Sequence, residues 1–179
     1  MADIKKEVKY YGDTDDPMWQ MEVEALFPWI SGKGADIGAG ARSIWPEIIR
    51  VDIDEKVKPD ILASGDKLPF KDGEFDYITS IHSFEHFEDQ RKTLKEWLRV
   101  IRPGGIIAIV HPDVFYTKYQ KTESDNPDLK KNPFNFHYHE QTADSFVLML
   151  QSWTDLPFRI LDYGIACANW SFYTILRKV

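Results

Sequence analysis

Two glycines and two acids form the clearest chemical pattern in the sequence. Gly38 and Gly40 follow Asp36 at the end of an apolar run, and glycines in such a turn let the backbone approach a ligand closely. Asp52 ends the next apolar run, where a carboxylate is the usual acceptor for the hydroxyls of a nucleoside ribose. Each piece alone is common as a plain turn or a solvated acid. Together they predict a nucleoside-binding site.

The same residues favour one nucleoside cofactor over another. A dinucleotide brings a pyrophosphate, which is normally held by three glycines and a helix N-terminus. Here Ser43 stands at the third glycine position, and the acid Asp36 would repel a phosphate. An acid at that point suits a ligand with an ammonium group. The pattern therefore favours S-adenosylmethionine over NAD.

Histidines and one acid near the predicted sheet edge are candidate general bases. His111 directly follows the apolar run Ile106–Val110, at the carboxyl edge where open α/β sheets bind ligands. We take His111 as the first candidate, with Asp113 beside it. The competing interpretation is that His111 and the proline after it simply turn the chain. His86 is a weaker candidate, because the Glu85-His86 motif more often positions a loop than transfers a proton.

The remaining histidines do not lead us to predict a metal site. In an extended segment His137 and His139 would lie on one side, and with His111 or Asp113 they could form a site for zinc or iron. No cysteine or spaced acidic motif supports such a site. We expect no metal.

The stretch 112–141 is the least regular part of the sequence, and we interpret it as an insertion or lid on the substrate side. Ordinary packing of a long loop onto the sheet is an equally good explanation of its aromatic residues. Its lysines alternate with acids, which is typical of a solvated surface. The aromatic residues that would shape a pocket are Phe115, Tyr116, Tyr119, Phe134, Phe136 and Tyr138.

Strands and helices alternate along the chain, which favours a parallel sheet covered on both faces. The first two connections are too short for full crossover helices, which usually need a dozen or more residues. The predicted strands are Ala35–Ile37, Ile48–Ile53, Asp60–Leu62, Phe75–Ser80, Ile106–Val110, Phe158–Tyr163 and Trp170–Arg177. The predicted helices are Pro17–Trp29, Gln90–Ile101 and Ala143–Trp153.

Composition sets the broad class. The 179 residues, 43% hydrophobic and 28% charged, predict a single domain over 1–179, with 1–16 as a flexible lead-in. A net charge of −7 disfavours stand-alone nucleic-acid binding. The longest apolar run is too short to cross a membrane, and the charged N-terminus does not resemble a signal peptide. With Cys167 as the only cysteine, we expect a cytoplasmic protein.

Several segments, in order over about residues 34–112, resemble the class I S-adenosylmethionine-dependent methyltransferases of the compact type 11-like kind. Asp36–Gly40 resembles the acid-x-Gly-x-Gly signature, and Val51–Ile53 resembles the ribose-binding strand end. The further matches are Leu68–Asp76, similar to an "LPF…FD" segment, the loop Ser80–Asp89 and the turn Arg99–Gly105.

The resemblance implies an α/β fold. It is a Rossmann-like, doubly wound, mostly parallel seven-stranded sheet with an antiparallel C-terminal strand and, in this chain, shortened early crossover helices. Asp36 would hold the methionine ammonium through backbone or water, Asp52 the ribose, and Ile53 would lie against the adenine. The implied cofactor-binding residues are Asp36, Gly38, Gly40, Asp52, Ile53, Ser64, Gly65, Asp66, Ile81 and His82. Adenine recognition is assigned to the segment Ser64–Asp66, in which Ser64 departs from the aspartate that commonly meets the adenine amino group.

The expected activity is transfer of a methyl group from S-adenosylmethionine to oxygen, nitrogen or carbon of a small-molecule or saccharide acceptor. One alternative is a non-catalytic partner or regulatory subunit with the same fold. Another, which Asp36 disfavours, is a NAD-dependent Rossmann enzyme. A protein partner is left open.

Overall fold

The computed structural model describes residues 9–11, 15–117 and 137–179. Most of the predicted lead-in and lid therefore lies outside the described residues. The strands are β1 (Lys9–Tyr10), β2 (Gly34–Ile37), β3 (Arg42–Ser43), β4 (Ile49–Asp52), β5 (Ile61–Leu62), β6 (Phe75–Ile81), β7 (Ile101–Pro112), β8 (Phe158–Cys167) and β9 (Ser171–Lys178). The α-helices are α1 (Pro17–Leu26), α2 (Gln90–Val100), α3 (Val114–Thr117) and α4 (Ala143–Ser152), with 3-10 turns at Glu55–Val57 and Phe84–His86.

The main sheet has seven strands in the order β5-β4-β2-β6-β7-β9-β8. Neighbouring strands from β5 to β7 are parallel, whereas β9 runs antiparallel to both β7 and β8. The predicted doubly wound sheet with an antiparallel C-terminal strand is confirmed. From β2 the chain moves outward through β4 to β5 and then returns to β6 on the other side of β2. The crevice between β2 and β6 is therefore the topological switch point, where open α/β sheets bind ligands.

The early crossovers lack full helices, as predicted. Between β2 and β4 the chain forms turns and the short β3, which pairs with β1 in a separate two-stranded sheet. Between β4 and β5 it forms only the 3-10 turn Glu55–Val57. The backbone after the glycine turn is consequently a loop, not the first turn of a helix.

Helix α1 begins as the sequence predicts and ends earlier. Asp16 caps it, because its side chain accepts hydrogen bonds from the N–H groups of Met18 and Trp19. The prediction extended the helix to Trp29, but it ends at Leu26. Pro28 has no N–H to continue the ladder of helical hydrogen bonds.

Strand β7 starts before the predicted Ile106, at Ile101. The register with β6 shifts between Phe75 and Tyr77, so the stretch predicted as a turn is a bulge within the strand. Gly104 adopts a φ of 77° within this bulge.

Two apolar layers cover the sheet. On one face α2 and α4 pack Trp97 and Phe146 against residues such as Ile107. On the other face α1 packs Val23 against residues such as Ala108. Successive residues of β7 thus alternate between the two layers. Among the described residues, none of the helices has the length and apolar character that crossing a membrane requires.

Candidate functional site

A cavity of about 300 Å³ opens at the switch point between β2 and β6. This volume lies at the lower end of the roughly 300–1,000 Å³ typical of ligand pockets. The walls come from α1, the loop after β2 and the end of β6. The lining residues are Trp19, Asp36, Gly38, Ala39, Gly40, Ala41, Arg42, Ile81 and His82. The structure therefore brings Asp36, Gly38, Gly40, Ile81 and His82 of the predicted site to one cavity.

The glycine loop is built on positive backbone angles. Gly38 has φ of 72° and Gly40 has φ of 56°, a region that favours glycine. A Cβ on Gly38 would stand 1.9 Å from Oγ of Ser83, whereas a Cβ on Gly40 would meet nothing within 4 Å. The backbone at Gly38 therefore lies against the loop after β6 too closely for any side chain. At Gly40 the backbone faces open space.

Asp36 is buried below the cavity at the end of β2. Its exposed fraction is 5%, and Oδ1 accepts a hydrogen bond of 2.8 Å from Oγ1 of Thr79 on β6. Burial raises the pKa of Asp36 to about 7, against the lowering effects of the Thr79 hydrogen bond and the charge of Arg50. The group is therefore a carboxyl whose charge depends on what binds above it.

Asp52, at the end of β4, ties two loops together. Oδ2 accepts a 2.8 Å hydrogen bond from the Gly40 N–H, and Oδ1 accepts one of 2.8 Å from the Asp54 N–H. A carboxylate oxygen can accept more than one hydrogen bond, so both oxygens keep acceptor capacity towards a ligand. The adjacent Ile53 is 49% exposed, which offers an apolar surface beside that carboxylate.

Arg50 holds the glycine loop from behind and was not found by sequence reasoning. The residue is 4% exposed, and Nη2 donates to the carbonyls of Gly40 at 2.6 Å and Val57 at 3.0 Å. Nη1 donates to the carbonyl of Lys58 at 3.1 Å. A planar guanidinium with a fixed fork can hold carbonyls of two loops at once.

His82 directly follows β6 and has a φ of 52°, which is unusual for a residue with a side chain. Nε2 lies 2.6 Å from Oε1 of Glu22 and 3.3 Å from Nε1 of Trp170. An indole N–H can only donate, so the two contacts require different protonation of Nε2. The shorter contact indicates that Nε2–H donates to the Glu22 carboxylate, so that in the neutral ring the lone pair is on Nδ1.

The segment that forms most of this cavity matches a known protein family. The family model described as a methyltransferase domain matches residues 32–109, from before β2 to within β7. These residues therefore form a methyltransferase domain of the class I S-adenosylmethionine-dependent kind. The cofactor of the methyltransferase is S-adenosylmethionine, as predicted.

Two curated relatives are similar to parts of the methyltransferase. Demethylmenaquinone methyltransferase of Paenarthrobacter aurescens is 30% identical over 144 residues, which are 65% of this chain and 54% of that protein. The chloroplastic tocopherol O-methyltransferase of Arabidopsis thaliana is 52% identical over 107 residues, 58% of this chain and 29% of that protein. The chain thus spans about half of the first relative's length and less than a third of the second's.

A solved structure shows the same fold. The methyltransferase in the complex with the Trm112 methyltransferase activator of Haloferax volcanii superposes with a TM-score of 0.68. The match covers 90% of this chain and 89% of that one at 13% identity. At this identity the likeness concerns the fold alone.

The cavity suits S-adenosylmethionine better than a dinucleotide. Asp36 below it matches an ammonium group, and Asp52 at the neighbouring strand end has acceptor oxygens for ribose hydroxyls. No helix begins in the described loop 38–48, so no helix N-terminus is there to hold a pyrophosphate. Ser43 lies in β3, not in the first turn of a helix.

The segment Ser64–Asp66 lies outside the cavity lining. Oγ of Ser64 donates to Oδ1 of Asp66 at 2.6 Å, and Asp66 pairs with Lys92 at 2.6 Å. The Gly65 carbonyl accepts from Nε1 of Trp97, and a Cβ on Gly65 would stand 2.6 Å from the side chains of Ile37 and Phe87. These contacts fix the segment against the core. Its role in adenine recognition stays a prediction.

The structure does not support His111 as a general base. The side chain is 0% exposed and packs in one cluster with the rings of Phe146 and Phe172, whose centroids each lie 5.2 Å from its own. Nδ1 lies 2.9 Å from the Pro112 carbonyl, and burial lowers the pKa of His111 to about 3. A neutral imidazole enclosed by aromatic rings cannot reach an acceptor in the cavity.

The structure describes Asp113 and only part of the predicted aromatic pocket. Asp113 is half-buried at the end of β7, where Oδ1 accepts from the Phe115 N–H at 2.9 Å, and its contact with substrate stays a prediction. Phe115 and Tyr138 are 62% and 50% exposed. Of the other predicted pocket residues, Tyr119, Phe134 and Phe136 lie outside the described residues, and only the backbone of Tyr116 is described.

Glu22 is the main site residue that sequence reasoning missed. It lies on α1 and is 2% exposed, among the buried residues Trp19, Val23 and Leu26. An acid within an apolar stripe at helical spacing is an anomaly that could have marked it. Oε1 also accepts a 2.6 Å hydrogen bond from Oγ of Ser171, so the carboxylate is held from two sides.

A pH dependence of cofactor binding follows from Asp36. We expect affinity for S-adenosylhomocysteine, which carries the ammonium group, to rise about tenfold between about pH 6 and pH 8, because only the ionised carboxyl attracts a cation. Calorimetric titration across this range measures the effect, and Asp36→Asn is expected to abolish the rise. An equal slope in both proteins would contradict the assignment. Conversely, stability of the ligand-free protein should fall as pH rises from about 4 to 7, because the unfolded state releases this proton first.

Arg50→Lys is expected to reduce the free energy of unfolding by about 3 kcal/mol, since a lysine cannot hold the same carbonyls and hydrogen bonds to charged groups contribute about 1.5–3 kcal/mol each. Urea unfolding measures the loss. Arg91→Lys is the matched control, because Arg91 is 46% exposed and pairs with Asp155 at the surface. The control should change stability by less than about 1 kcal/mol. Equal effects would contradict the role given to Arg50.

Proposed function

We propose that this chain methylates a small organic acceptor that carries an ionisable hydroxyl group. The observation that carries the proposal is the contact between His82 and Glu22 at the rim of the cofactor cavity. It orients an imidazole that lines the cavity, which supports a role for His82 beside the methyl donor. The named relatives, demethylmenaquinone and tocopherol methyltransferases, give support for a quinol or phenol as acceptor.

The residues around the cavity have separate tasks in this proposal. Asp36 attracts the ammonium group, the loop Gly38–Gly40 passes under the bound cofactor, and Asp52 accepts hydrogen bonds from the ribose. S-adenosylmethionine, when bound, supplies a methyl group on a sulfonium, whose carbon–sulfur bond breaks as the acceptor's lone pair bonds to carbon. The electron pair of the broken bond stays on sulfur.

His82 would take the proton that the acceptor hydroxyl loses. Glu22 fixes the tautomer by accepting from Nε2–H, so that Nδ1 carries the basic lone pair. Glu22 also stabilises the imidazolium once the proton has arrived. Trp19 and Ile81 give the cavity apolar walls that exclude water from the alignment of acceptor and methyl group.

The test is transfer of labelled methyl from S-adenosylmethionine to a panel of quinols, phenols, amines and saccharides. We expect transfer to a hydroxyl-bearing aromatic acceptor. Glu22→Gln should lower kcat about 100-fold, at the low end of what a positioned base contributes, and should change the pH profile. Glu24→Gln, an exposed acid of the same helix bonded to Tyr11, is the control and should leave kcat unchanged.

Two results would contradict the proposal. Transfer to none of the acceptors, by protein that binds S-adenosylhomocysteine, would favour a non-catalytic or partner-dependent methyltransferase fold. A methyltransferase of the same fold is known in complex with an activator, which gives that second candidate its support. Equal kcat in both glutamine variants would remove Glu22 from the account. The cytoplasmic location stays a prediction that rests on the cysteine content.

A further inference from the structure

A glutamate and two histidines meet beside the proposed acceptor position. The ligating atoms of Glu85, His86 and His137 all lie within 4.8 Å of one another. Nε2 of His86 is 3.8 Å from Oε1 of Glu85, and the rings of His86 and His137 meet edge to face with centroids 4.8 Å apart. Glu85 is 1% exposed, whereas both histidines are half-buried. The cluster is outside the set of residues assigned above to cofactor binding and proton transfer.

The fold pins the two segments that supply these side chains. Glu85 and His86 belong to the 3-10 turn after β6, and His137 begins the segment before α4. The N–H groups of Tyr138 and His139 donate to the Glu85 carbonyl at 3.1 Å and 3.4 Å. Nε2 of His139 lies 3.1 Å from the Glu88 carbonyl. These backbone contacts hold His137 over the turn, while His139 faces away from the cluster.

We propose that Glu85, His86 and His137 bind a divalent transition-metal ion of the Zn²⁺ or Fe²⁺ class. Two imidazoles and one carboxylate are the ligand set of catalytic zinc sites and of facial iron sites. In a tetrahedral zinc site with bonds near 2.1 Å, neighbouring ligand atoms lie roughly 3.4 Å apart. Rotation of the side chains that moves their ligand atoms by about 1 Å would therefore complete the geometry. A cation would also offset the cost of burying the Glu85 carboxylate.

Three protein ligands leave a coordination position for the acceptor. His82 connects the cluster to the cofactor cavity, since Nδ1 lies 3.9 Å from Oε1 of Glu85. A hydroxyl bound to the metal would have a lowered pKa and would be a stronger nucleophile. This role in acceptor binding rests on the proposed function. It narrows the acceptor to one whose oxygen can coordinate a metal.

The experiment titrates the metal-free full chain with Co²⁺, followed by visible absorption, and with Zn²⁺, followed by calorimetry. We expect one ion per chain at micromolar affinity or better. His137→Ala and His86→Ala should weaken binding at least about 100-fold, since loss of even an outer-shell partner typically weakens binding 10–100-fold. His139→Ala is the matched control from the same segment and should stay within about threefold of the wild type. Thermal unfolding of each variant verifies that it is folded.

Two results would overturn the metal site: no binding of either ion by the folded wild type, or undiminished binding by His137→Ala. S-adenosylhomocysteine titration of the same samples separates this proposal from the proposed function. Metal binding without cofactor binding would support the site and contradict the activity. Cofactor binding and methyl transfer by a chain that binds no metal would contradict the metal site alone.

Discussion

Asp52→Ala is expected to weaken the binding of S-adenosylhomocysteine about 1,000-fold. The ribose would lose two hydrogen bonds to a charged acceptor, each contributing about 1.5–3 kcal/mol, and every 1.4 kcal/mol is tenfold in affinity. The N–H groups of Gly40 and Asp54 would lose their acceptor as well, so the loop under the cofactor would be less well held. Calorimetric titration measures the loss of affinity.

Two variants separate the charge from other effects. Asp52→Asn keeps one acceptor oxygen and should bind with intermediate affinity. Glu55→Ala removes an exposed carboxylate from the neighbouring 3-10 turn and should bind as the wild type does. If Asp52→Ala bound as tightly as Glu55→Ala, the strand end of β4 would not be the ribose site.

Gly38→Ala is expected to destabilise the protein by about 4 kcal/mol. The new Cβ would stand 1.9 Å from Oγ and 2.4 Å from Cβ of Ser83, and the φ of 72° adds backbone strain. Overpacking contributes roughly 1–3 kcal/mol and strained backbone a similar amount. Because the loop must move to relieve the overlap, cofactor binding should be lost in the fraction that stays folded. Urea unfolding and S-adenosylhomocysteine titration measure the two effects.

Gly73→Ala provides the matched control for this prediction. Gly73 has a φ of 68°, but a Cβ there would be 3.7 Å from its nearest neighbour, an ordinary contact. It should lose only about 1 kcal/mol, the strain alone. The double variant Gly38→Ala with Ser83→Gly removes the overlapping atoms and should recover most of the difference. No recovery would show that close packing against Ser83 is not the reason for glycine at position 38.

The sequence alone was sufficient for the seven-stranded sheet and for five of the ten predicted cofactor-binding residues to lie at the cavity, whereas Asp52, Ile53 and Ser64–Asp66 lie outside its lining. Apolar runs separated by turn residues predict the parallel strands, and short spacing predicts the missing crossover helices. Asp36, Gly38 and Gly40 lie in one local segment, so their proximity follows from the turn itself. Ile81 and His82 meet them because the chain returns to β6 beside β2, which the order of the motifs already implies.

Contacts between distant segments were beyond the reach of sequence patterns. His111 follows a strand at the correct edge of the sheet, but Phe146 on α4 and Phe172 on β9 enclose it, and neither is close in sequence. Glu22 meets His82 only because α1 packs on the same sheet face. In the sequence, Arg50 looks like an ordinary strand residue. Its role is evident only in the folded structure, where its side chain joins two loops.

The central claim is that the cavity between β2 and β6 binds S-adenosylmethionine, and direct competition with a dinucleotide tests it best. Calorimetric titration of the wild-type chain with S-adenosylhomocysteine is expected to show one site of micromolar affinity that excess NAD does not affect. Absence of binding by a protein shown to be folded, or displacement of the ligand by NAD, would contradict the claim.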